Sequence, residues 1–145
     1  MRQAAGCGKN GFVVNFYPPA VIIHGLADAR LALSLRRPVT LLSAPAAALY
    51  AGCLWWQSLI AAAETDQPAF LDCADAPGRA AEALRAGQRR ILFRPETSAL
   101  LASVASMAEA YGEEIWTERP PSLDMATRGA ERQLAVWLAG PRTSG

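Results

Sequence analysis

Five polar residues follow closely on apolar runs of the kind that become buried strands: His24, Ser43, Asp72, Asp75 and Arg94. His24 is the only histidine and follows Val21-Ile22-Ile23, where an imidazole can carry a proton or donate to an anion. Asp72 follows Phe70-Leu71 and suits a general base. Together His24 and Asp72 are the candidate catalytic pair. Arg94 follows Ile91-Leu92-Phe93, and a guanidinium there can make a paired contact to phosphate or carboxylate. Ser43 and Asp75 complete the candidate ligand-binding set. Glu96, Thr117, Glu118 and Arg119 stand at the same relative place after the fourth and fifth runs.

Each of these residues also has a plainer role. His24 can simply bond the next loop, and Asp72 can hold the N–H groups of a turn. Ser43, ahead of Pro45, has the chemistry of a helix cap, as does Asp75 ahead of Pro77. Cys73 lies between Asp72 and Asp75, whose negative charge opposes a thiolate, so a small buried side chain is the simpler reading.

Several activities lose their residues on inspection. A Schiff base needs a lysine in a dry pocket, and the only lysine is Lys9 in a glycine-rich, polar stretch. One histidine is too few for the usual zinc site, so no metal is expected. G-x-S-x-G and G-x-G-x-x-G are both absent. Gly6-Cys7-Gly8-Lys9-Asn10 superficially resembles a phosphate-binding loop, but no strand precedes it and Asn10 replaces Ser or Thr. No cofactor is expected.

The elements that must position these residues repeat along the chain. Apolar runs predict strands near 20–24, 39–43, 69–72, 90–93 and 114–117, each parallel to the next. Helices are predicted over 26–35, 46–63, 76–86, 98–111 and 127–139, with Gly87 and Gly112 as stops. Ala80, Ala83 and Leu84 give one inward face, and Leu100, Leu101, Val104, Met107 and Ala108 another. The spacing is regular, though no repeat of residues is apparent. The expected fold is α/β: a five-stranded, mostly parallel sheet with alternating helices, doubly wound as in a flavodoxin-like three-layer sandwich, plus a C-terminal helix. The alternative is an open half of a (β/α) barrel, with all its helices on one side.

Residues 72–93, DCADAPGRAAEALRAGQRRILF, are similar to the β–α steps of barrel aldolases, where comparable Ala-Leu-Arg-Ala-Gly turns occur. The likeness covers one unit and no catalytic motif, so it bears on architecture alone. In either arrangement ligands sit at the carboxyl ends of the strands.

The 145 residues suit one domain over 18–120, between an N-terminal arm (1–17) and a C-terminal extension (121–145) carrying one helix. A net charge of +1 does not call for nucleic acid. All basic residues but Lys9 are arginine, which with the many alanines fits a GC-rich bacterial genome. Three cysteines without CxxC spacing fit a reducing cytoplasm. No charge occurs over 38–63, yet Ser43 and Pro45 divide that run, so a buried helix is expected in place of a membrane span. Tyr50, Leu54, Trp55, Trp56 and Leu59 exceed what one buried stripe can hold, which predicts a homodimer interface with Tyr50, Trp55 and Trp56 in it and the C-terminal helix as the competing cover.

The functional expectation is a small cytoplasmic domain of bacterial type that binds a small anionic ligand or a protein partner at its strand ends. One alternative is a lyase or isomerase with Asp72 and His24 as acid–base pair and Arg94 as anchor. Another is a structural subunit of a larger complex.

Overall fold

The computed structural model describes residues 17–140; all but the last residue of the expected arm, including Cys7 and Lys9, lies outside them. The elements alternate as β1 (Ala20–Ile22), α1 (Leu26–Ser34), β2 (Thr40–Leu42), α2 (Ala47–Tyr50), α3 (Cys53–Ala63), β3 (Ala69–Asp72) and α4 (Pro77–Arg85). Then come β4 (Arg90–Leu92), α5 (Ser98–Tyr111), β5 (Glu114–Trp116), β6 (Ser122–Asp124) and α6 (Ala130–Leu138). All six strands are parallel, in the order β5-β4-β3-β2-β1-β6. The parallel α/β class, the alternating helices and the terminal helix match the sequence reading, and one strand is added.

That strand, β6, was not anticipated. Ser122-Leu123-Asp124 has a single apolar residue, too weak a run to stand out after Pro120-Pro121. It pairs with β1 as Ala20↔Ser122 and Ile22↔Asp124, so this part of the extension belongs to the sheet.

Strand order also bears on the layers. From β1 to β5 every step goes the same way across the sheet, and same-handed crossovers then put their helices on one face. The core agrees. Val21, Leu41, Leu71, Ile91 and Leu123 share one cluster with the buried residues of all six helices. Ala20, Ile22, Leu42, Ala44, Phe70, Leu92 and Trp116 form a separate cluster to which no helix of the described residues contributes. Odd-numbered strand residues thus face the helices and even-numbered ones the opposite side. Among the described residues the helices lie on one side of the sheet, within the parallel α/β class that both expected arrangements share.

The two edges of the sheet draw toward each other. Six strands about 4.8 Å apart would hold β5 and β6 about 24 Å apart if flat. Yet Trp116 and Ser122 are only six residue steps apart, at most about 21 Å fully extended. The edges must therefore approach, and residues 117–121 run as a chord across the even face. On the even face Phe70 and Trp116 stack with centroids 3.7 Å apart, and Tyr17 meets both edge-on at 5.5 and 5.0 Å. Tyr17 donates its hydroxyl proton to Glu114, and the Arg90 guanidinium lies 5.9 Å from the centre of its ring. Burial first, and the bond to Glu114 second, push that hydroxyl up to about 12.

The apolar stretch over 46–63 is not one helix. Gly52 takes φ 87°, a left-handed conformation natural to glycine, and splits it into α2 and α3. Among the described residues no helix is long and apolar enough to cross a membrane.

Candidate functional site

The carboxyl ends of the strands carry two ion pairs and a hollow. At the centre, Asp72 ends β3 and is buried. One carboxylate oxygen accepts the Ala74 N–H at 2.7 Å, and the other accepts Arg119 Nη1. Arg119 Nη2 also donates to the Ser43 carbonyl at 3.0 Å. The Ser43 hydroxyl accepts the Asp72 N–H at 2.9 Å and donates to the Ala44 carbonyl. The chord across the even face is thus tied through Arg119 to the ends of β2 and β3. Ser43 and Asp72 meet, but as parts of a closed hydrogen-bond set. The helix cap expected of Ser43 is not made: α2 starts at Ala47 with Ala46 before it, and the hydroxyl is spent on β3.

His24 has different partners. Its Nε2 lies 2.6 Å from Asp124 Oδ1 at the end of β6, and its backbone N–H donates to Asp28 at 2.9 Å. Asp124 also accepts the Ala126 N–H at 2.9 Å. Burial raises the pKa of Asp124, but the Ala126 N–H, His24 and Arg119 outweigh it and hold the carboxyl below its ordinary value. Nε2 is therefore the donor to a charged carboxylate. Both side chains keep more than a third of their surface, at 37% and 38%. The acid–base pairing expected of His24 with Asp72 is replaced by two separate pairs, His24–Asp124 and Asp72–Arg119.

Arg94 stands apart from both. Its backbone N–H donates to the Ala74 carbonyl at 2.8 Å, joining the loops after β3 and β4. Its side chain is exposed and has no ion-pair partner among the described residues. It lines an open hollow of about 510 Å³ between the β4–α5 loop and the residues after β5, with Glu96, Thr97, Thr117, Glu118 and Arg119. The Thr97 hydroxyl caps α5 by accepting the Leu100 N–H at 3.2 Å. His24, Ser43, Asp72 and Asp75 do not line this space. Asp75 is exposed and does not cap α4, whose first turn is preceded by Ala76. The turn is fixed from Asp72 instead, through the Ala74 N–H.

Cys73 is fully buried, and its thiol is pushed up to about 12 by burial and then by Asp72. At neutral pH it is a protonated, inert core residue. Of the three expected interface residues, Trp56 is completely buried, Trp55 half-buried and Tyr50 70% exposed. Within 46–63 the exposed large apolar side chains are Leu49, Tyr50 and Leu54, on both sides of the Gly52 break. The terminal helix α6 does not cover them; it packs beside β6, where Trp137 Nε1 donates to the Ala20 carbonyl at 2.7 Å.

Two side chains of these ion pairs were under-read in the sequence. Arg119 was one strand-end residue among several, and nothing local shows that it reaches Asp72, 47 residues away. Asp124 had a visible signal, because Leu71-Asp72-Cys73-Ala74 and Leu123-Asp124-Met125-Ala126 share the pattern Leu-Asp-x-Ala. In both copies the aspartate takes the N–H of the alanine two residues on, so a short repeat of residues does exist. No protein-family model and no curated protein matches the chain.

Proposed function

We propose that the chain is a binding domain that takes a small ligand by its anionic group in the hollow at the carboxyl ends of β4 and β5, with Arg94 as anchor. The observation that carries this reading is Arg94 itself, an arginine without an ionic partner among the described residues, lining a space of ligand size. Proton transfer by Asp72 and His24 would need both over one ligand. Their side chains bond Arg119 and Asp124 instead, and neither lines the hollow. Two buried free thiols, Cys53 and Cys73, fit the cytoplasmic setting that belongs to this proposal.

The test is titration calorimetry with a panel of small carboxylates and inorganic phosphate. Saturable binding by the wild type, weakened about tenfold or more in Arg94→Ala, is expected for loss of a charge-assisted contact. If nothing on the panel binds at millimolar concentration, or Arg94→Ala binds as well as wild type, the reading fails.

A homodimer through Leu49, Tyr50 and Leu54 is a second reading, favoured by the exposure of Tyr50 and Leu54 at 70% and 68%. Sedimentation of wild type against Leu54→Glu decides it, since a monomeric wild type at micromolar concentration excludes the dimer.

A further inference from the structure

We infer that the ligand of this hollow is zwitterionic, of the α-amino-acid type, with its carboxylate on Arg94 and its ammonium group toward Glu96 and Glu118. The inference rests on the proposed binding at Arg94 and follows from the charges around it. Arg94 and Arg119 line the hollow, but so do Glu96 and Glu118. Arg119 is already neutralised by Asp72 and is held on its other side by the Ser43 carbonyl. Among the described residues, then, one cation without an ion-pair partner lines the hollow with two carboxylates that also lack one.

Glu96 and Glu118 border the same open hollow as Arg94. A simple anion held there by Arg94 is repelled by both carboxylates, the more weakly the higher the salt. A ligand carrying a positive group a few ångströms from its carboxylate turns that repulsion into a second contact. The Thr97 and Thr117 hydroxyls can serve either group, because a hydroxyl both donates and accepts. This arrangement selects against plain acids by the unpaired carboxylates they would leave, as well as for the ligand that pairs them.

Glycine, L-alanine and L-glutamate are titrated into the full chain beside their amine-free counterparts acetate, propionate and glutarate. At least one amino acid is expected to bind about tenfold tighter than its amine-free counterpart. The Glu96→Gln/Glu118→Gln variant, its fold checked by circular dichroism, should lose that preference and bind the plain acid better than wild type does. If the plain acids bind wild type as tightly as the amino acids, and Arg94→Ala abolishes both, the anion site stands and the zwitterion is wrong. An unchanged preference in the double variant also overturns the inference. If no compound of either series binds, and phosphate does not, the site itself falls.

Discussion

Asp72 and Asp124 are the same local device placed in two surroundings. Each ends a parallel strand after a leucine, and each accepts the N–H of an alanine two residues on, at 2.7 and 2.9 Å. Each also carries one cationic or protonated partner brought from far along the chain: Arg119 for Asp72, His24 for Asp124. The difference is position in the sheet. β3 is central, and the side chains of Asp72 and Arg119 keep 9% and 19% of their surface. β6 is the edge strand beside β1, and Asp124 and His24 keep 38% and 37%. The turn bond is a matter of local geometry and is made in both places. What the ion pair contributes depends on solvent, which the Leu-Asp-x-Ala pattern does not encode.

The largest expected effect follows from the buried pair. Asp72→Ala leaves Arg119 without its carboxylate, frees the Ala74 N–H, and unties the chord from β3. Removing one partner of a buried pair costs about 3–5 kcal/mol, and the partial exposure of Arg119 favours the lower end of that range. Urea unfolding should show a fall of about 3 kcal/mol, with Asp72→Asn intermediate, because its amide oxygen can still accept the Ala74 N–H. A loss below about 1 kcal/mol would mean that burial does not separate the two aspartates, and the comparison would collapse.

These differences mark what the sequence could and could not carry. Strands β1 to β5, the stops at Gly87 and Gly112 and the helix periods are local, and they were legible because neighbouring residues determine them. The Gly52 break was visible as a residue, but its outcome depended on whether the backbone took φ 87°. β6 was hidden because three residues with one leucine become a strand only by lying against β1. The partners of His24 and Asp72 were hidden for the same reason. His24–Asp124 spans 100 residues and Asp72–Arg119 spans 47, and either pairing depends on the strand order. Arg94 and its neighbours at the hollow were legible as strand-end residues, since position after a buried run is again local.

A second test uses pH, and here the sign is fixed by Asp124. Its carboxyl titrates below the ordinary value in the folded chain, so its stabilising contribution is present above the unfolded carboxyl range, near 4. That contribution is lost as pH falls through the folded value, where the unfolded chain no longer binds the extra proton alone. Asp124→Asn removes the titration, so the variant should lie below wild type at pH 6 and converge on it as the pH drops. Stability measured from pH 6 to pH 2 checks this. A gap that stays constant throughout would show that shape, and not charge, is what Asp124 supplies.

The smallest effect concerns the edge pair itself. A double-mutant cycle between His24→Ala and Asp124→Asn measures the coupling free of each side chain's other contacts, such as the Ala126 N–H on Asp124. With both partners more than a third exposed, the coupling should lie within about 0.2–1 kcal/mol. It should also shrink in 1 M salt, where charges are screened beyond about 3 Å. The corresponding cycle between Asp72→Asn and Arg119→Leu should give a larger value that salt changes little, because water and ions have poor access to that pair. Arg119→Leu keeps an apolar stem over the even face, so the cycle reads the pair more than the packing. Equal couplings at the two sites would leave the exposure difference without energetic meaning. A strong, salt-resistant coupling at His24–Asp124 would instead mean that the short bond at 2.6 Å, and not its surroundings, sets its strength.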